Sequence, residues 1–244
     1  MAIVGIMGGT GAALFPVAAE TELSHPDTEW GPPSAPLLCW QQDNHDVVFL
    51  SRHGPTGNIP PHLVNYRANI ASMAASGVDY LISLNAVGGI ATGVRPGTLV
   101  LPDQLIDYTW GRAHTRYEGE RLTEYIDITE PYDSLLRGFL IKAAAAAELE
   151  LTPSGTYGVT QGPRLETRAE IDRLERDGCT LVGMTGMPEA SLAREYGLRY
   201  ASCCMVVNVA AGRSNTAIHA EIDRYLAESM QSAASLLGQL LKSL

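Results

Sequence analysis

The chain lacks most of the features that assign a protein early. It has no apolar run of membrane-spanning length and no basic segment with an apolar leader at its first residues, so a soluble, cytoplasmic protein with no membrane partner is expected. No Ser/Gly-rich linker, charge block or internal period divides the 244 residues, which leaves a single domain, 1–244, as the simplest organisation. Cys39, Cys179, Cys203 and Cys204 show no CxxC spacing, and the last two fall inside an apolar strand pattern, so buried thiols are expected. Positive charge is short as well: 17 Lys and Arg against 27 Asp and Glu give a formal net charge of −10. A surface of that sign argues against nucleic-acid binding, although a few placed arginines can still hold a small anion. The 45% of hydrophobic residues is enough for one large core.

What is present is a set of strands with unusual exits. Residues 2–11 (AIVGIMGGTG) are an apolar run of strand length ending in a glycine-rich turn, with the Thr10 hydroxyl beside it. Free backbone N–H groups in such a turn suit an anion, but the spacing is neither GxGxxG nor GxxxxGK[ST], and a purely structural turn fits equally well. Residues 46–50 (DVVFL) form a second strand that delivers Ser51, Arg52, His53 and Gly54. Arginine beside histidine at a strand end presents a planar fork and an imidazole to phosphate oxygens; a surface ion pair is the competing reading. Residues 80–84 (YLISL) are a third strand that opens into 85–89 (NAVGG). Strand ends of an α/β sheet carry the ligand, so similar exits point to one shared pocket.

The remaining segments alternate helix and strand. Residues 22–36 read as an extended connection, 63–76 as a packing helix stopped at Gly77, and 99–108 as an irregular strand. The loop beyond it carries Arg112, His114, Arg116 and Tyr117 and is placed to reach a neighbouring subunit. Residues 133–150 form a helix capped by Asp133, and 155–160 a strand leading into 161–167 (QGPRLET). There Glu166 and Thr167 either cap the helix 168–177 or serve the pocket. Residues 181–190 leave a strand for a proline-opened helix, 200–208 are a last apolar strand tipped by Asn208, and 220–244 an amphipathic helix with Ile222, Leu226, Met230 and Leu237 on its apolar side.

Six segments carry a resemblance: GGTG at 8–11, RHG at 52–54, VNYRANI at 64–70, NAVGG at 85–89, GPRLET at 162–167 and MTGMPE at 184–189. Together, and in this order, they resemble the trimeric purine nucleoside phosphorylase and methylthioadenosine phosphorylase family, and within it most closely the bacterial S-methyl-5'-thioinosine phosphorylases. The resemblance implies a single-domain α/β fold with a central mixed, partly barrel-like sheet flanked by helices, and a homotrimer. It implies a phosphate site of Thr10, Arg52, His53, Ala86 and Thr185, with Met184 against the ribose. It also implies a base site of Leu165, Glu166 and Asn208, with catalysis resting on Asn208, Glu166 and His53. Phosphate is then a co-substrate and nucleophile, with no cofactor and no metal.

Hydrogen-bond chemistry then separates substrates. A 6-oxopurine carries hydrogen on N1, so an ionised Glu166 receives it while Asn208 donates to O6 or N7. A 6-aminopurine has an acceptor at N1 and leaves both groups unpaired, at a cost of roughly 1–3 kcal/mol. Adenine-using relatives carry Asp-Tyr-Asp where this chain reads Asn208-Val209-Ala210. Ile222 stands where hydroxyl-selective relatives place a histidine, which favours a 5'-methylthio group; His219 lies one turn away and competes for that position, and His114 is expected to bind substrate by touching the adjoining subunit's 5' pocket. The expected reaction is phosphorolysis of S-methyl-5'-thioinosine to hypoxanthine and 5-methylthioribose 1-phosphate. The alternatives are an inosine and guanosine phosphorylase, a methylthioadenosine phosphorylase, and a catalytically silent nucleoside-binding protein.

Overall fold

The computed structural model describes residues 1–18, 21–117 and 125–244. In chain order, β1 (Ile3–Gly8), β2 (Glu22–Ser24), β3 (Leu37–Gln42) and β4 (His45–Ser51) precede α1 (Tyr66–Ala75) and β5 (Tyr80–Gly89). There follow β6 (Leu99–Val100), β7 (Gln104–Asp107), α2 (Ser134–Ala146), β8 (Leu151–Thr152), β9 (Thr156–Val159) and α3 (Arg168–Arg176). β10 (Leu181–Gly183), α4 (Gly186–Glu195), β11 (Arg199–Val209) and α5 (Ile218–Ser243) complete the chain. The strands join one mixed sheet in the order β2-β3-β4-β1-β5-β10-β9-β7, and β11 lies along β5 and continues through β6 to β8.

β5 is the branch point. Its first half runs parallel to β1, with Ile82 beside Ile6, while its whole length runs parallel to β11 and its last two residues pair antiparallel with β10. With β11 along the whole of one edge, β1 and β10 share the other, and the sheet forks there between a parallel and an antiparallel neighbour. Helices cover both faces, which is why the inner strands are continuously apolar. Along β11 the two-residue period sends Ala201, Cys203, Met205 and Val207 into the core with α2 and α5, and Tyr200, Cys204 and Val206 into the core with α1 and α4.

Several boundaries differ from expectation, each for a local reason. The 85–89 stretch is not an exit loop but the second half of β5, held by β11 and β10. The 22–36 connection starts as edge strand β2 on β3, a strand the composition hides. β3 and β4 form a hairpin whose tip, Asp43-Asn44, adopts positive φ at both residues, a conformation Asp and Asn tolerate. α1 starts only at Tyr66 because the Asn65 side chain caps it by accepting from the Ala68 N–H. The irregular strand at 99–108 splits into β6 and β7 around Pro102. All four thiols are free; Cys39, on the outer β3, is half-buried and the others are buried. No helix among the described residues is long and apolar enough to cross a membrane.

Candidate active site

A cavity of about 430 Å³ opens where β1, β4, β5, β10 and β11 end. It brings together Thr10, Arg52, His53, Ala86, Leu165, Glu166, Met184, Thr185, Asn208 and Ile222, ten of the eleven side chains singled out from the sequence. The eleventh, His114, is exposed outside its own chain's cavity, with Nδ1 3.2 Å from the Arg112 carbonyl oxygen.

At one end the glycine turn makes room for an arginine. A Cβ on Gly9 would lie 2.6 Å from Arg52 Nη1 and 2.8 Å from the Leu84 carbonyl oxygen, so only glycine fits there. Gly11 adopts φ +86°, the left-handed region, and starts the short turn beyond it. Arg52 is 0% exposed, so the competing reading of a surface ion pair does not hold: the pair it makes is buried, with the equally inaccessible Glu189. Its Nε donates to Glu189 Oε1 and Nη2 to Oε2 at 3.1 Å, while Nη1 donates to the Leu84 carbonyl at 3.1 Å and Nη2 to Ser83 Oγ at 2.5 Å. Burial works against the guanidinium's charge, but Glu189's charge and hydrogen bond outweigh it and the pKa goes up.

Glu189 is itself satisfied by Ser83 Oγ (2.7 Å) and the Tyr200 hydroxyl (3.1 Å). Asn85 extends the network, donating to Ser83 Oγ (3.1 Å) and Ser202 Oγ (2.6 Å) and accepting from Thr185 Oγ1 at 2.8 Å. Burial, then the charge of Arg52, lowers the pKa of His53, so its ring is neutral. Nδ1 sits 2.7 Å from the Ile59 carbonyl oxygen and must carry the hydrogen, which leaves Nε2 as the acceptor.

At the other end stand a carboxylate and an amide. Glu166 Oε1 accepts from Thr160 Oγ1 at 2.6 Å. The capping alternative divides between neighbours: Thr167 caps α3 with Glu170 completing the box, and Glu166 is left to the cavity. The Asn208 amide donates to the Val209 carbonyl at 2.8 Å, and a Cβ on Gly88 would lie 3.1 Å from its nitrogen. The third wall is apolar. Ile218 and Ile222, one turn apart on the first turns of α5, both line the cavity, whereas His219 is exposed and does not.

Sequence reasoning missed four contributors. Glu189 was legible only as the residue after a proline; its signal was a carboxylate inside an apolar stretch. Ser83 and Asn85 lie inside β5, and Ile218 precedes the helix start read from the pattern. Arg112, expected in a loop facing a neighbour, is buried against its own chain, and Thr115 and Arg116 are tied to Glu195 of α4. Among the described residues no group of three or more His, Cys, Asp or Glu side chains is placed to hold a metal ion.

The model of the Phosphorylase superfamily matches residues 3–242. A protein of Xylella fastidiosa named probable S-methyl-5'-thioinosine phosphorylase is 50% identical over 211 residues, covering 86% of this chain and 85% of that one. The 6-oxopurine nucleoside phosphorylase of Pyrococcus furiosus is 38% identical, covering 96% and 90%. Among solved structures, methylthioadenosine phosphorylase from Schistosoma mansoni in complex with tubercidin superposes with a TM-score of 0.92 at 29% identity, covering 99% of this chain and 91% of that one.

Proposed function

Because the chain belongs to the Phosphorylase superfamily, we propose that it cleaves the glycosidic bond of a 6-oxopurine nucleoside with inorganic phosphate, S-methyl-5'-thioinosine being the preferred substrate. The products are hypoxanthine and 5-methylthioribose 1-phosphate. The observation that carries this reading is the pairing, in one cavity, of Glu166 and Asn208 at one end with Thr10, Arg52 and His53 at the other. An acceptor beside a donor complements N1–H and O6 or N7 of a 6-oxopurine and mismatches adenine. The two isoleucines suit a methylthio group, whose burial contributes roughly 1–2 kcal/mol.

In the reaction a phosphate oxygen forms a bond to C1' as the bond from C1' to the purine nitrogen breaks, and that electron pair leaves with the base. Asn208 stabilises the developing negative charge by donating an N–H, and Glu166 fixes the base by accepting N1–H. Thr10, the backbone at Ala86, Thr185 and the edge of Arg52 hold phosphate beneath the sugar, His53 Nε2 accepts from a phosphate hydroxyl, and Met184 and Leu165 pack against sugar and purine. Phosphate is a co-substrate and no cofactor takes part. The active form is a homotrimer, with His114 directed to a neighbouring subunit. Trp110, 72% exposed on the same loop, is the kind of side chain an interface covers. Four unpaired thiols suit the reducing cytoplasm.

The test is phosphate-dependent base release from methylthioinosine, inosine, guanosine and methylthioadenosine, compared by kcat/KM. The reading requires methylthioinosine to lead. Release from inosine at equal efficiency would overturn the 5' assignment, and a lead for methylthioadenosine the base assignment.

A further inference from the structure

Arg112 touches neither end of the cavity as assigned above, yet its guanidinium is buried with every N–H engaged. Nε donates to Gln161 Oε1 at 3.1 Å, and Nη2 donates to the carbonyls of Thr160 (3.2 Å) and Gln161 (2.8 Å). Nη1 donates to the carbonyls of Met184 (2.9 Å) and Met187 (2.5 Å) and contacts the Tyr66 hydroxyl at 3.2 Å. The guanidinium lies over the Tyr66 ring, 5.3 Å from its centre. Tyr66 donates its own hydrogen to the Pro61 carbonyl at 2.8 Å, and burial raises its pKa, so it remains a neutral phenol.

The carbonyls belong to two segments that leave adjacent strands. β9 and β10 are paired up to the bond from the Thr160 N–H to the Gly183 carbonyl, and there the chains part. One runs to Glu166, which the Thr160 hydroxyl holds; the other runs to Met184 and Thr185. Arg112 bridges them just past the fork. Five N–H groups in a rigid plane satisfy carbonyls on both sides at once, which a lysine ammonium on a flexible stem cannot do.

We propose that Arg112 is a positioning residue that fixes the spacing between the base-reading segment, 160–166, and the sugar-side segment, 184–187. The inference rests on the assignment of Glu166 to the base and Met184 to the sugar. Release of the clamp lets the two ends of one nucleoside be held out of register, and a misplacement of about 1 Å costs on the order of 100-fold in rate.

The experiment uses the full-length enzyme with Arg112→Ala and Arg112→Lys, varying nucleoside and phosphate separately. Both variants are expected to lose about 100-fold in kcat/KM for methylthioinosine while KM for phosphate stays within about threefold, because Arg52 keeps its bonds to Glu189, Ser83 and Leu84 and the Thr185 hydroxyl, though on the released segment, keeps its own bond to the buried Asn85. Added guanidinium ion at about 10 mM is expected to restore at least about tenfold in Arg112→Ala by refilling the site. Arg112→Lys carries the same comparison if the alanine variant does not fold. Parallel loss in the nucleoside and phosphate parameters, or loss without guanidinium rescue in a folded alanine variant, would reduce Arg112 to a structural residue. A lysine variant equal to wild type would also overturn the clamp. Failure of the functional reading is separate: it would be wild-type enzyme inactive on every 6-oxopurine nucleoside.

Discussion

Arg52 has one proposed duty and one visible in the structure, and a single substitution confounds them. It lines the end of the cavity proposed for phosphate, and it neutralises Glu189, a carboxylate with 0% exposure. Arg52→Ala strands that charge, so stability should fall by about 3–5 kcal/mol in denaturant melts. Arg52→Met with Glu189→Met removes both charges and should recover more than half of that loss. KM for phosphate should stay high in both variants. If the double variant regains phosphate affinity along with stability, Arg52 is structural only. Asn208 has a cleaner test, since an aspartate there donates to N7 only when protonated. Asn208→Asp should shift the methylthioinosine to methylthioadenosine ratio of kcat/KM by roughly 1–3 kcal/mol toward the adenosine. The shift stays incomplete because Glu166 still faces N1, and an unchanged ratio would remove Asn208 from the base site.

At the scale of elements, α5 is the helix that the proposed function assigns to the 5' group. Its register turns Ile218 and Ile222 to the cavity and His219 to solvent, because residues four apart share a helical face and a residue one further on does not. Ile222→His should therefore narrow the preference for methylthioinosine over inosine by roughly 1–2 kcal/mol, the transfer value of the buried group. The readout is the ratio of kcat/KM for the two nucleosides. An equal loss on both would mean the helix end has been disturbed and the residue does not read the 5' group. Strand β5 plays the corresponding part at the other end. Its even residues near the branch are apolar and its Ser83 and Asn85 are buried polar groups satisfied by Arg52, Glu189, Thr185 and Ser202.

Over the whole molecule, acid should be destabilising through a named group. His53 has its pKa held below the ordinary 6.5 by burial and then by Arg52. The unfolded chain binds that proton first, so this contribution to stability is fully present above about pH 6.5 and is lost as pH falls from there toward the folded value. Tm should drop between about pH 7.5 and 5.5, and His53→Gln should drop less over the same range. A slope unaffected by the substitution would place the acid sensitivity elsewhere. Assembly is checked by light scattering alongside activity, with a trimer expected; a fully active monomer would remove the neighbour's His114 from the site.

Much of this was local chemistry and therefore legible in the chain. Apolar runs marked the inner strands, Asp133 capped α2 as its position foretold, and short motifs selected eight of the ten residues that converge on one cavity, Asn208 and Ile222 coming from the last strand and the terminal helix. What the chain could not display was pairing between distant segments. Whether 85–89 is loop or strand depends on β11 and β10 lying beside it, and propensity does not report a neighbour 120 residues away. Neither Glu189, a carboxylate in an apolar stretch, nor Arg112, in a polar loop, has its partner near it along the sequence. Their roles come from burial, which makes an unpaired charge or carbonyl costly and so forces a partner on each. The sequence by itself determined the inner apolar strands, the helices and the chemistry collected at their ends. Tertiary structure alone decided which charge neutralises Arg52 and which side chain clamps the base-reading segment to the sugar side, because both depend on groups that meet only once the sheet has closed.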